Sequence, residues 1–125
     1  MNKTEANQLP IASLAYLGDS VLEIMVRKKL ILDKKGDIHA RAREYVTAVS
    51  QSKAAERLMD IFTDDETAVY KRGRNHTHSS PKSATHAQYS RATGLECVFA
   101  YLYLTEDTER LEYIFNYGFC ETDND

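Results

Sequence analysis

Residues 14–23 read LAYLGDSVLE, and the fold turns on whether a helix passes through the Gly18-Asp19 step or stops there. Ser20-Val21-Leu22-Glu23 matches a Ser-x-x-Glu capping box, which would make Gly18-Asp19 a turn ahead of a new helix. Against that stands the periodicity. At about 100° per residue, Leu14, Leu17, Val21, Ile24 and Met25 share one face, and that face continues straight across the glycine. The pattern predicts one helix from near Pro10, a residue suited to the first helical position, to about Leu32. Its apolar arc is wide, with Leu22 and Val26 on the side away from Leu14, Leu17 and Val21. A helix apolar over so much of its circumference is expected to be buried all round, partly against a second copy of the chain.

Helix signals also dominate outward from this stretch. Asp37 is a candidate N-cap for IHARAREYV, and a third helix is expected to follow Ser50 through Ala54, Leu58 and Ile61. Thr63-Asp64-Asp65-Glu66 is a capping box with acids in the first turn of a fourth helix, ETAVYKRGR. GRNHTHSSPKS reads as a loop. A long fifth helix covers roughly His86 to Leu104, and TERLEYIFNYGF forms a sixth. No alternating strand pattern of any length appears, and there is no internal repeat. The expected class is an all-α bundle.

At 125 residues, 42% hydrophobic and 28% charged, the chain is long enough for one domain with its own core. We expect a single domain over residues 1–125. No apolar run approaches a membrane span. The opening MNKTEANQLP lacks the apolar centre of a secretory signal. Two cysteines, Cys97 and Cys120, make no disulfide framework, and Cys97 in its apolar run is expected to be a buried thiol. A cytoplasmic protein is the expectation.

The net charge of −3 argues mildly against a polyanionic partner. Its distribution argues the other way. Between Glu66 and Glu96 there is no Asp or Glu, while Lys71, Arg72, Arg74, Lys82 and Arg91 fall there with His76, His78 and His86. The stretch Glu106–Asp125 carries seven acids and one Arg. A segregated basic segment in an acidic chain is a candidate polyanion site. A solvated loop with a chance charge run stands as the alternative.

Two carboxylates remain to be explained. Asp19 lies at the edge of the first helix's apolar sector among small neighbours, and Gly18 costs roughly 1 kcal/mol in a helix interior unless another backbone approaches there. Glu96 is the only charge in ATGLECVFAYLYLT, residues 92–105. An acid in such surroundings needs an ion pair, hydrogen bonds or a metal; pairing with Arg or Lys is the ordinary answer for Asp19. The two long, mostly apolar helices thus each carry one inward-facing carboxylate; facing one cleft the two repel, and a divalent cation relieves the repulsion. Mg²⁺ takes a few carboxylate oxygens, keeps several waters and favours phosphate. Paired carboxylates beside a basic segment suit metal-dependent phosphodiester hydrolysis. Glu23, one turn after Asp19, is a candidate supporting residue or a partner for Arg27. His76 and His78, two apart in a loop, are a poor ligand set. Tyr101 and Tyr103 read as core and dimer packing.

LAYLGDSVLEIMVRKKL resembles the defining helix of the ribonuclease III catalytic domain, whose core is Leu-Gly-Asp-(Ala/Ser)-Val-Leu-Glu, and GLECVFAYLYL resembles that family's second acidic motif. KRGRN, followed by PK and YSRAT, looks more like the compact bacterial branch, Mini-ribonuclease III, which consists of the catalytic domain alone. The resemblance implies an all-α homodimer that cuts double-stranded RNA with Mg²⁺ (Mn²⁺ as a substitute), each subunit providing one active site, and that matures 23S ribosomal RNA precursors. It implies that Asp19 and Glu96 are the catalytic, metal-binding pair. It also marks departures from the full-length family: Ala15, Thr93 and Lys35 stand where that family has acids, which leaves Thr93 as a supporting residue at most.

With no double-stranded-RNA-binding domain, the basic segment must grip RNA. Lys71, Arg72, Arg74, Lys82 and Arg91 are read as phosphate contacts, and Asn75 or the histidines as groove contacts; A-form RNA is read mostly by shape. The competing reading is a non-catalytic helical RNA-binding or ribosome-associated module, which would have no physical need for two carboxylates facing phosphate. A protein-interaction bundle is weaker still, because it leaves the acid-free segment unexplained.

Overall fold

A computed structural model describes residues 1–33, 36–76 and 84–120. Among them are seven helices and no strand: α1 (Lys3–Asn7), α2 (Ile11–Asp33), α3 (Ile38–Val46), α4 (Ala48–Leu58), α5 (Asp64–Asn75), α6 (His86–Leu104) and α7 (Thr108–Gly118). The all-α expectation holds. None of these helices is long and apolar enough to cross a membrane.

The centre is α6. From Ala92 to Leu102 every residue except Glu96 is buried, so this helix is apolar round its whole circumference and must be covered on all sides. α2, α5 and α4 pack around it; α7 closes against α4 and α6, and α3 leans on α2. Phe99, Phe115, Phe119 and Tyr45 form an aromatic cluster at the α6/α7/α3 end, with Phe115 and Phe119 centroids 5.2 Å apart.

α2 runs unbroken through Gly18-Asp19, as its periodicity requires. A Cβ at Gly18 would stand 1.8 Å from the carbonyl oxygen of Glu96, so the glycine exists to bring two backbones together. A second close crossing joins α5 to α6, where Gly73 and Gly94 meet: a Cβ on Gly73 would lie 2.9 Å from the Cα of Gly94.

Three readings need correction. The structure adds a short helix, α1, opened by a reciprocal capping box of Asn2 and Glu5. α4 begins at Ala48 rather than after Ser50, because Thr47 is extended and its side chain caps Ser50 N–H at 3.2 Å. α2 is not buried all round within the chain. Leu14, Val21, Leu22, Val26 and Leu30 are core residues, while Tyr16, Ile24, Ile31 and Leu32 are 84%, 66%, 60% and 67% exposed. The apolar residues open to a partner are therefore different ones from Leu14, Val21, Leu22 and Val26.

Candidate active site

Because Gly18 seats α2 directly on the backbone of Glu96, the next residue on α2 necessarily stands beside the Glu96 side chain. The Asp19 and Glu96 carboxyl groups are in hydrogen-bond contact. Burial first, and then the neighbouring Asp19 charge and that hydrogen bond, push the Glu96 carboxyl up to about 8 from its ordinary value of 4.5. The two are not equivalent. Glu96 is half-buried, whereas Asp19 lies on the exposed side of α2, so the expectation of two inward-facing acids holds for Glu96 alone. α2 buries Gly18 and turns Asp19 to the surface.

Among the described residues, no group of three or more His, Cys, Asp or Glu side chains comes together. Two carboxyls in contact, one of them held protonated by burial and by its neighbour's charge, form a donor set that a divalent cation fits. The cation removes the like-charge repulsion and leaves most of its coordination sphere to water and substrate.

No pattern in the sequence singled out Gln51. It lies in the first turn of α4, is 3% exposed, donates from Nε2 to the carbonyl of Val46 at 3.0 Å, and its amide opposes the upward push on the Glu96 carboxyl. Its one sequence signal is an amide placed on the Ala54-Ala55-Leu58 face of α4.

The remaining sequence-read residues fall at different distances from the chemistry. Glu23 pairs with Arg27 at 2.8 Å on the surface of α2. Thr93 is buried and donates its hydroxyl to the carbonyl of Tyr89 at 3.0 Å, so that hydroxyl is bonded within its own helix. Lys71 and Arg72 are exposed on the last turns of α5. Arg74 lies over the Tyr70 ring at 5.9 Å and meets Asn75 at 3.4 Å. The Gly73–Gly94 crossing fixes this basic end of α5 to the helix that carries Glu96. Cys97 reports the proximity: burial and Glu96 push its thiol up to about 12, and Arg72 pulls the other way. That Cys97 is buried agrees with expectation. Arg91 is engaged with α4, through Ser52 Oγ at 3.1 Å and Glu56 at 3.2 Å. Lys35, His78 and Lys82 lie outside the described residues.

Residues 12–107 match the family model described as Ribonuclease III domain. Over 107 residues the chain is 42% identical to the Mini-ribonuclease 3 of Symbiobacterium thermophilum, spanning 82% of each chain. It is 36% identical over 114 residues to the Mini-ribonuclease 3 of Streptococcus pneumoniae, spanning 86% of this chain and 89% of that one. For the Staphylococcus aureus protein of the same name the identity is 38% over 110 residues, with 83% and 82% covered. A crystal structure of a Fusobacterium nucleatum protein superposes with a TM-score of 0.77 at 27% identity, covering 82% of this chain and 87% of that one.

Proposed function

The chain belongs to the ribonuclease III domain family, and from that premise we propose that it is a Mg²⁺-dependent endoribonuclease acting on double-stranded RNA in the cytoplasm, with 23S ribosomal RNA precursors as its substrate. The observation that carries this reading is the contact between the Asp19 and Glu96 carboxyls where α2 crosses α6. Enzymes of this family generally depend on a divalent metal. Asp19 and Glu96 hold the ion, Asp19 from the exposed side and Glu96 from the protein side. Bound there, Mg²⁺ supplies Lewis-acid polarisation of the scissile phosphate and activation of the attacking water; Mn²⁺ substitutes.

The chain's other residues bind and orient. Lys71, Arg72, Arg74 and Arg91, with Asn75 and Lys82, contact the RNA backbone and its groove. The active form is a homodimer. On α2, Tyr16, Ser20, Ile24, Arg27 and Ile31 follow one another at helical spacing along the outward face, and three of these five are large, exposed apolar residues. Two copies joined there bring two basic segments together, which lets an acidic chain bind a polyanion.

The experiment is incubation of a long RNA duplex with the protein in Mg²⁺ or in EDTA, alongside Asp19→Asn. Cleavage in Mg²⁺ alone, lost in the Asn variant while its fold and RNA binding persist, is the expected result. Cutting by Asp19→Asn at the wild-type rate would remove Asp19 from the mechanism. RNA binding without any cleavage by the wild type would leave the binding-module reading.

A further inference from the structure

Arg110 and Arg91 each meet a glutamate, in different ways. Arg110 donates from Nε and Nη2 to Glu66, both at 2.8 Å. That edge of a guanidinium matches a carboxylate or a phosphate with two parallel bonds, so the Arg110 pair is closed. Arg91 is held by a corner. It donates from Nη1 to Ser52 Oγ at 3.1 Å, and the same nitrogen lies 3.2 Å from Glu56 Oε1. Both partners stand on α4, one turn apart; Ser52 is buried and Glu56 exposed. Among the described residues, no acceptor meets Nε or Nη2 of Arg91. A carboxylate placed to neutralise this arginine would take the two-bond edge, as Glu66 does. Glu56 leaves that edge open. Arg91 also stands less than one turn before Gly94, on which the Tyr70 ring of α5 packs, and Arg74 lies over that ring at 5.9 Å. Each helix at this crossing therefore carries an arginine steadied by another side chain.

We infer that Glu56 and Ser52 are positioning residues for RNA binding: they fix one corner of the Arg91 guanidinium so that its Nε–Nη2 edge is ready to take a backbone phosphate. This rests on the proposed function above. Arg91 precedes Glu96 by five residues on α6, about 7.5 Å along the helix axis, so the phosphate it takes flanks the one at the metal. A long side chain that is free before binding must be ordered when the phosphate arrives, which weakens binding by about two- to tenfold. A guanidinium already held at one corner has lost that freedom in advance. Glu56 therefore strengthens RNA binding, although its own charge repels phosphate.

The sign of one effect tests this. A long RNA duplex is titrated with the full chain in Ca²⁺ at several salt concentrations, for the wild type, Glu56→Ala, Glu56→Gln, Arg91→Ala and the double variant Glu56→Ala/Arg91→Ala, with a thermal melt of each. Glu56→Ala is expected to melt close to the wild type and to bind about two- to tenfold more weakly, with a slope of log K against log salt that moves toward the shallower slope of Arg91→Ala. Glu56→Gln, which keeps an oxygen for Nη1 and removes the charge, is expected to bind at least as tightly as the wild type. In the Arg91→Ala background, Glu56→Ala is expected to cause no further loss. Equal or tighter binding by Glu56→Ala would make Glu56 a mask over Arg91 and overturn the inference. A loss of the same size with and without Arg91 would show that Glu56 acts on the fold, and would overturn it too. Arg91→Lys is a second probe that leaves Glu56 in place. It keeps the charge but has no two-bond edge, so it is expected to lose most of what Arg91→Ala loses; wild-type affinity in Arg91→Lys overturns the inference. The wild type separates the two levels. If it neither binds nor cuts the duplex in Mg²⁺, the proposed function fails. If it cuts while Glu56→Ala binds as tightly as it does, only the role of Glu56 and Ser52 fails.

Discussion

A single methyl group at Gly18 would collide with the carbonyl of Glu96 at 1.8 Å. Alanine gains up to about 1 kcal/mol of helix propensity over glycine, so the clash must exceed that gain to show. It does so easily, because the obstructing atoms are backbone and cannot rotate away. Overpacking of this kind costs about 1–3 kcal/mol or more, so Gly18→Ala is expected to lower the melting temperature by ~10 °C and to displace Glu96 from Asp19, which a thermal melt and a cleavage assay read together. Glu96 itself makes stability depend on pH. Its carboxyl sits near 8 in the folded chain against an ordinary 4.5. Between those values the folded state holds a proton that the unfolded chain has released, so stability falls as pH rises through that window, by at most ~1.4 kcal/mol per pH unit. In EDTA the protein is therefore expected to melt at a lower temperature at pH 8 than at pH 5.5, with a flatter dependence in Glu96→Gln. Identical pH profiles for the two proteins would exclude this source.

At the scale of elements, the join between α5 and α7 is set by a buried pair. Glu66 caps α5 by accepting from Thr63 N–H at 2.9 Å, and Arg110 on α7 donates to it from Nε and Nη2, both at 2.8 Å. Arg110 also reaches the carbonyl of Ile61 at 2.7 Å. Glu66 is 2% exposed, so removing the arginine would strand a buried carboxylate. Arg110→Met is expected to cost about 3 kcal/mol in urea unfolding, while Arg110→Met with Glu66→Gln costs less because no charge is left unpaired. A single variant within 1 kcal/mol of wild type would show the pair to be incidental. The same capping box, legible in the sequence, starts the helix whose far end carries Lys71, Arg72 and Arg74. A stability device at one end of α5 thus sets the direction of the basic patch at the other.

At the scale of the whole molecule, the outward strip of α2 and the basic end of α5 make separate predictions. Light scattering at micromolar concentration is expected to give twice the chain mass of 14.2 kDa, and Ile24→Glu, which puts a charge on an exposed apolar strip, to give the monomer. A wild-type monomer would remove the homodimer. For RNA binding in Ca²⁺, each phosphate contact releases counterions. Arg72→Ala with Arg74→Ala should make the slope of log K against log salt shallower by up to about 1 unit per charge removed. An unchanged slope would move the RNA path elsewhere, with Arg41 and Arg43 on α3 the next cations to test.

Local order was determined by the sequence alone. The passage of α2 through Gly18, the Asp37 cap, the Thr63 box and the span of α6 all follow from 3.6-residue periodicity and from caps that bond within three residues, and such interactions need no distant partner. Asp19 and Glu96 were readable as a pair because each interrupts an apolar helix, and their motifs pointed the same way. Which way each residue faces was decided by the tertiary structure. The wheel of α2 put Asp19 beside buried neighbours, but the seating of Gly18 on Glu96 turned it to the surface. The partners of Arg91, Ser52 and Glu56, come from α4, far from it along the chain. Gln51 carried no signal, because a glutamine becomes a polar device only when its surroundings exclude water, and those surroundings are built from α3, α4 and α6 together. A side chain's chemistry depends on its burial and on its partners, and in a helical bundle both come from segments far apart along the chain.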